Sequence, residues 1–303
     1  LNDLNWKGAS FLMDFTAFAA RPETQRVLGV RVTQHGQLLG EYLREGDCRR
    51  NLYSASKSFT SCAVGIAQRE GLLSLSERLV DVFPDELPEQ VNDHLAQATV
   101  HDLLTMCLGQ EQGFLMGEQR PLLREKNWVK ASLAQPFTCA PNSKFVYNNV
   151  GPYLAGVLVQ RRAGCDLVHY LMPRLFEPLD IFLPTWECDP LGYTFGAGGL
   201  FLSLGEFHRF GELYLQDGNW HGKQLVPAGW VRASTSKQVE NDTPYGYGYL
   251  FWGGPEGSFR ADGKYCQWSV LLRDRDAVIS LLSECRDGEG LQRALFEELV
   301  PQL

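Results

Sequence analysis

Apolar positions along the chain change period twice, and the changes outline an architecture. Residues 11–20 are apolar enough for an N-terminal helix ended before Pro22. Residues 27–34 read as a strand, His35-Gly36 as a turn, and residues 37–43 as its hairpin partner. From residue 54 the spacing becomes three and four. Phe59, Cys62, Ala63, Ile66 and Ala67 form an apolar stripe at helical period, and Gly71 is a stop signal. A short segment over 76–83 is stopped by Pro84. Helices are then expected over 100–106 with Thr99 as cap, 127–134, 153–162 closed by Gly164, and 166–176 with a break at Pro173. Two more follow over 204–215 and 227–233.

After residue 235 the pattern returns to strands. The aromatic run 245–252 reads as one, and 258–261, 267–273 and 277–284 as three more, with a turn near Asp274. A final helix is expected over 291–300. Strands at both ends and helices between predict an α/β (α+β) chain. Its antiparallel sheet would come from residues 1–50 and 235–303, with the mainly helical region 51–234 inserted.

Composition narrows the partners. The chain has 303 residues, 44% hydrophobic and 21% charged, ordinary for a soluble globular enzyme. A net charge of -8 offers no basic surface for nucleic acid. No apolar run is long enough to span a membrane. Leu1 to Lys7 lack the basic-then-apolar order of a signal peptide, although a start at Leu1 rather than Met leaves removal of a leader open. The eight cysteines are scattered, without C-x-x-C or a histidine at ligand spacing. Zinc is therefore not expected, and a reducing, cytoplasmic setting fits better than a disulfide framework. Nothing here settles an oligomeric state.

Candidate chemistry starts at Ser54 and Lys57, three apart at the expected helix start. They would lie one above the other on one helix face. A serine hydroxyl needs a neighbour to take its proton. A lysine amine does so once burial and the positive helix end lower its pKa. S-x-x-K is a short pattern, and by itself it also reads as a helix cap beside a solvated lysine. Tyr147 and Asn149, two apart on a loop, could both enter a cleft. The phenol would relay protons if Lys57 lowers its pKa, and the amide would hold a carbonyl. The Gly196-Ala-Gly-Gly199 run lacks the G-K-[ST] of a phosphate loop, so close packing is its better reading. No G-x-S-x-G elbow is present. The six histidines have no evident Ser or Cys partner and read mostly as surface or cap residues.

Order adds what the single motifs lack. Ser54-Ala-Ser-Lys57, Gly71-Leu-Leu-Ser-Leu, Val100-His-Asp-Leu-Leu-Thr-Met106, Phe145-Val-Tyr-Asn-Asn149, Gly196-Ala-Gly-Gly-Leu-Phe-Leu-Ser203, Asp217-Gly-Asn-Trp-His-Gly-Lys223 and Tyr245-Gly-Tyr-Gly248 follow one another along nearly the whole chain. In that order the chain resembles the serine β-lactamase and penicillin-binding-protein family, in its branch of class C β-lactamases, D-alanyl-D-alanine peptidases and esterases. The resemblance implies a β-lactamase/transpeptidase-like fold and an acyl-serine intermediate. Ser54 would be the nucleophile, Lys57 its proton acceptor, and Tyr147 the group that protonates the leaving group and later activates water. Asn149 would hold the substrate amide. The N–H groups of Ser54 and Lys264 would form the oxyanion hole. The family's third motif, Lys or His, one residue, then Gly, falls here on Ala261-Asp262-Gly263. Gly263 would keep the strand open for substrate. The usual carboxylate-binding cation is missing at Ala261. On a regular strand Lys264 would point away from that place, and Asp262 would turn to the cleft only if the strand were irregular. The expected substrate is a small ester or amide, hydrolysed without metal or organic cofactor, by an esterase or amidase rather than an efficient β-lactamase. The alternative is a penicillin-binding or sensor protein that acylates with little turnover.

Overall fold

The computed structural model describes residues 12–303. At its centre is a six-stranded antiparallel sheet made of β1 (Val27–Gln34), β2 (Gln37–Leu43), β3 (Trp252–Gly253), β4 (Phe259–Gly263), β5 (Gln267–Leu272) and β6 (Ala277–Ser283). Their spatial order is β2-β1-β6-β5-β4-β3. The β1–β2 turn places His35 at φ 50° and Gly36 at φ 70°, the left-handed pair that a two-residue hairpin requires. The β1–β6 ladder joins the two ends of the chain, with Val30 opposite Leu281 and Val32 opposite Ile279.

β5 and β6 are buried at every position, and strand alternation sorts their side chains between two cores. Val270, Leu272, Ile279 and Leu281 pack with Phe15, Phe18 and Leu295 from the two terminal segments. Leu271, Val278 and Leu282 face a larger core filled by the central helices. The molecule is thus layered as terminal helices, sheet and helical region, a mixed α/β arrangement of β-lactamase/transpeptidase-like type.

Five helices matter for the site and its support: α1 (Ser56–Arg69), α2 (Val100–Thr105), α3 (Val150–Ala163), α4 (Leu204–Leu215) and α5 (Gly288–Ala294). Thr99 and Asp102 form a capping box on α2, and Ser203 and Glu206 form one on α4. α4 lies on the sheet and meets α1 through Phe210, whose ring stacks on Phe59 at 3.8 Å. Phe59 is fully buried, so truncation to alanine would cost about 3–5 kcal/mol.

The structure corrects several expectations. α1 has no polar face: every residue from Ser56 to Ala67 is buried. Two of its hydroxyls are satisfied by distant backbone, Ser58 Oγ on Leu250 O at 2.9 Å and Thr60 Oγ1 on Gly196 O at 2.7 Å, whereas Ser61 Oγ has no partner. Within the expected 11–20 helix, Phe11 lies outside the described residues, and the helix runs Thr16–Ala20. The run 245–252 is not a strand. Gly246 and Leu250 adopt φ 76° and 61°, which break the extended backbone, and only β3 remains. α3 starts at Val150, because Pro152 is tolerated in a first turn. The Pro173 break is a wide turn over Met172–Phe176. The final helix begins at Gly288, capped by the Asp287 carboxylate. His208 is a core residue rather than a surface one. It bridges Thr33 Oγ1 at 2.9 Å and Ser280 Oγ at 3.0 Å between α4 and the sheet.

Candidate active site

The turn into α1 is built to expose one hydroxyl. Tyr53 sits at φ 48°, with its N–H held by Asn51 Oδ1 at 2.7 Å. A short 3-10 turn, Tyr53–Ala55, then delivers Ser54 to the head of α1. First-turn N–H groups have no acceptor within a helix, so the Ser54 N–H belongs to the unsatisfied set. Gly263 of β4 presses against this turn. A Cβ there would stand 2.0 Å from Leu52 O and 3.2 Å from Ala55 N. The glycine therefore lets two backbones touch; it does not keep the strand open for substrate. That contact sets Lys264, one residue on, beside Ser54.

Lys57 is 1% exposed. Its Nζ donates to Ser54 Oγ at 2.8 Å and to Ala197 O at 2.7 Å. Burial pushes its pKa well below the usual lysine range, and the Arg120 charge pushes the same way, while Asp262 pulls it back up. The small-residue run 196–199 is what lets a backbone carbonyl reach the amine. Gly199, at φ 83°, sits under Glu187, and a Cβ would be 2.5 Å from that side chain.

Tyr147 arrives from the loop before α3. Val146 N–H donates to Met106 O at 2.9 Å, and Asn149 N–H donates to Phe114 O at 3.2 Å. The Tyr147 ring packs on Trp252 at 5.4 Å and lies 5.1 Å from Lys57 Nζ. Burial raises its pKa above the usual phenol value; the nearby Ser54 hydroxyl opposes this and Asp262 adds to it. The expected lowering by Lys57 is not among the effects on the phenol. Tyr147 therefore rests as a protonated phenol. Asn149 is 8% exposed; its Nδ2 donates to Leu115 O at 2.9 Å, and its buried Oδ1 has no partner.

These groups open on a cleft of about 590 Å³. Ser54, Tyr147, Asn149 and Lys264 line it; Ala261 does not. Ala261 is 1% exposed, with its methyl in the core. β4 is regular, with Gly263 opposite Gln267 and Asp262 opposite Trp268, yet Asp262 lines the cleft. Alternation itself explains this: Ala261 and Gly263 face inward, so Asp262 faces out without any irregularity. Its carboxylate accepts from Arg260 Nε at 2.7 Å.

Sequence reasoning missed Arg120 and Glu187 in the cleft wall. Arg120 Nη1 lies 3.2 Å from Glu187 Oε2, its guanidinium covers the Phe195 ring at 4.3 Å, and its Nε is buried without a partner. The two are 67 residues apart, with no motif around either. The Ala197 carbonyl was foreshadowed only by the glycines around it. Among the described residues no group of His, Cys, Asp and Glu is placed to hold a metal ion.

The fold is that of the serine β-lactamase and penicillin-binding-protein class. The β-lactamase family model matches residues 16–300, and the chain belongs to that family. A 6-aminohexanoate-dimer hydrolase of Paenarthrobacter ureafaciens is 25% identical over 265 residues, covering 82% of this chain. The chain spans 65% of that relative's length. Among solved structures, a penicillin-binding protein from Bacillus halodurans superposes with TM-score 0.71 at 16% identity, over 90% of this chain and 96% of that one. An octameric penicillin-binding protein homologue from Pyrococcus abyssi gives 0.70 at 17% identity, over 90% and 75%. At those identities the likeness concerns the fold. No helix among the described residues is long and apolar enough to cross a membrane.

Proposed function

We propose that this protein is a serine hydrolase that cleaves a small amide or ester through an acyl-serine intermediate. The observation that carries the reading is the buried Lys57 amine, hydrogen-bonded to Ser54 Oγ at 2.8 Å. Ser54 Oγ attacks the substrate carbonyl carbon as neutral Lys57 takes its proton. The carbonyl oxygen, now negative, lies between the N–H groups of Ser54 and Lys264. The C–N or C–O bond then breaks, and the Tyr147 phenol gives its proton to the departing nitrogen or oxygen. A raised pKa suits that task, because it keeps the proton on Tyr147 until the leaving group needs it. Water, deprotonated by the same pair, releases the acyl group. The free Asn149 Oδ1 accepts an N–H from the acyl side of an amide substrate.

An amidase or esterase is favoured over an efficient β-lactamase by the methyl at Ala261, where a carboxylate-binding cation is expected. The name of the Paenarthrobacter relative agrees in pointing to a linear amide. Labelling with a fluorophosphonate, followed by peptide mapping, tests the nucleophile. Ser54 is the expected adduct, absent in Ser54→Ala; a persistent label elsewhere in that variant would remove Ser54 from its role. Turnover of a p-nitrophenyl ester then separates a hydrolase from a protein that acylates and stops.

A further inference from the structure

Part of the cleft wall is a clamp that the acyl-transfer steps above do not use. Arg120 opens the 3-10 turn Arg120–Leu122, in a segment tied by Met116 N–H on Gln119 Oε1 at 2.9 Å. Its Nη1 donates to Glu187 Oε2 at 3.2 Å, and its guanidinium covers the Phe195 ring at 4.3 Å. Phe195 is 1% exposed, so the cation rests on a ring that the core holds still.

Glu187 and Phe195 also bracket the small-residue run 196–199. Phe195 N–H donates to Glu187 O at 2.8 Å, and Glu187 N–H donates to Gly199 O at 3.0 Å. Between them the chain turns tightly, with Gly196 at φ 65° and Ala197 N–H on Phe195 O at 2.6 Å. Thr60 Oγ1 holds Gly196 O, and the next carbonyl, Ala197 O, receives Lys57 Nζ. The carbonyl that aims the amine at Ser54 is therefore two residues from the ring on which Arg120 sits.

Charge supplies a second link. Besides Ser54 and Tyr147, the cleft presents Asp262 and Arg260 from β4, Lys264 just after it, and Glu118, Arg120 and Glu187. Asp262 is bonded to Arg260. Arg120 has one contact to a partly exposed Glu187, and its buried Nε has no partner, so its charge is only partly offset. Asp262 favours the ammonium form of Lys57, and Arg120 favours the neutral amine.

We infer that Arg120 is a positioning residue for the proposed base: seated on Phe195 and tied to Glu187, it fixes the turn whose Ala197 carbonyl aims Lys57, and it sets a positive charge near that amine. The inference rests on the acyl-serine reading above and gives a task to a residue which that reading leaves idle. Arg120 acts through Phe195 and Ala197 rather than on the substrate.

The experiment follows kcat and KM against pH for p-nitrophenyl acetate, a neutral substrate, in the parent, Arg120→Gln, Arg120→Lys and Glu187→Gln, with rates taken per folded molecule. In Arg120→Gln the plateau of kcat/KM should fall about tenfold, through kcat, because Ala197 O loses its brace. Its acid limb should move to higher pH, because a positive charge near the amine is gone. Arg120→Lys should return the limb to the parent position and regain only part of the plateau, since an ammonium keeps the charge and lacks the flat face. In Glu187→Gln the Arg120 charge is no longer offset, so the limb should stay or move to lower pH. An upward shift in Glu187→Gln would mean that breaking the ion pair merely loosens the wall, and would overturn the inference. So would an unmoved limb in Arg120→Gln, or a rise in KM with kcat unchanged, which would make Arg120 a substrate contact. Fluorophosphonate labelling of Ser54 in the same preparations keeps two failures apart. Labelled Ser54 with an unmoved limb refutes only the role of Arg120, whereas unlabelled Ser54 in the parent refutes the hydrolase reading beneath it.

Discussion

Gly263 offers a quantitative test of how the site is assembled. In Gly263→Ala the new methyl would start 2.0 Å from Leu52 O, where real Cβ contacts stay at 3.0 Å or more. β4 and the Ser54 turn must therefore separate by about 1 Å. Neither side yields freely. Leu52 is fully buried, its N–H bonds Leu200 O at 2.8 Å, and its O accepts from Ala55 N at 3.1 Å. β4 is held by its ladder to β5. Overpacking of this kind costs about 1–3 kcal/mol, a shift of only a few degrees in Tm for a chain of this size. Function is more sensitive, because the separation moves the Lys264 N–H away from the Ser54 N–H. A misplacement of about 1 Å at reacting atoms costs about 100-fold. The expected result is a folded protein with kcat/KM for a p-nitrophenyl ester lowered about 100-fold, and acylation by fluorophosphonate slowed in parallel. Gly211→Ala is the control. Its Cβ would meet Ser269 Oγ at 2.3 Å, so it is similarly overpacked, but between α4 and the sheet. It should lose stability and keep its activity per folded molecule. If Gly263→Ala holds its kcat/KM within about threefold of the parent, close approach of β4 does not build the site.

Four further predictions rest on other groups. Lys57→Arg should fail almost as badly as Lys57→Ala, since a guanidinium stays charged, and near-parent rates in the Arg variant would make Lys57 a fixed charge only. Because burial depresses the Lys57 pKa, the parent should lose kcat/KM on its acid side as Lys57 protonates, and a flat acid limb would contradict the neutral-base role. His208 is fully buried, and its pKa is pushed down to about 3 by burial, with Arg31 and Arg209 adding to it. Its stabilising contribution is complete above pH 6.5 and should fall by about 1.4 kcal/mol per pH unit as pH drops from there toward 3. Glu212, 3.8 Å away with a raised pKa, works against part of this loss as it protonates early. Urea unfolding against pH should show a flatter acid limb in His208→Gln, and identical slopes would exclude His208 as the cause. Finally, kcat/KM for a short-chain p-nitrophenyl ester should exceed that for nitrocefin; rapid nitrocefin hydrolysis would mean that the cleft supplies the carboxylate cation after all, with Arg120 the first residue to substitute.

The sequence by itself determined the elements whose cause is local. The β1–β2 hairpin, with its His35-Gly36 turn, runs as its residues predict, and α4 follows its own capping box and apolar period. The order of motifs was equally legible, and with it the family. Where local cause gave out, the reading failed for identifiable reasons. A periodicity argument finds the apolar face of a helix, but only the tertiary structure could bury the hydroxyl face of α1 as well, by giving Ser58 and Thr60 distant carbonyls. Strand alternation was known, but which face of β4 met the cleft depended on Gly263 touching Leu52, more than two hundred positions away. The pKa values of Lys57 and Tyr147 were set by burial that no spacing encodes. Arg120 and Glu187 carry no local signal, because charge recognition depends on where side chains meet in space. Local chemistry drew attention to Ser54 and Lys57; long-range packing alone decided what surrounds them.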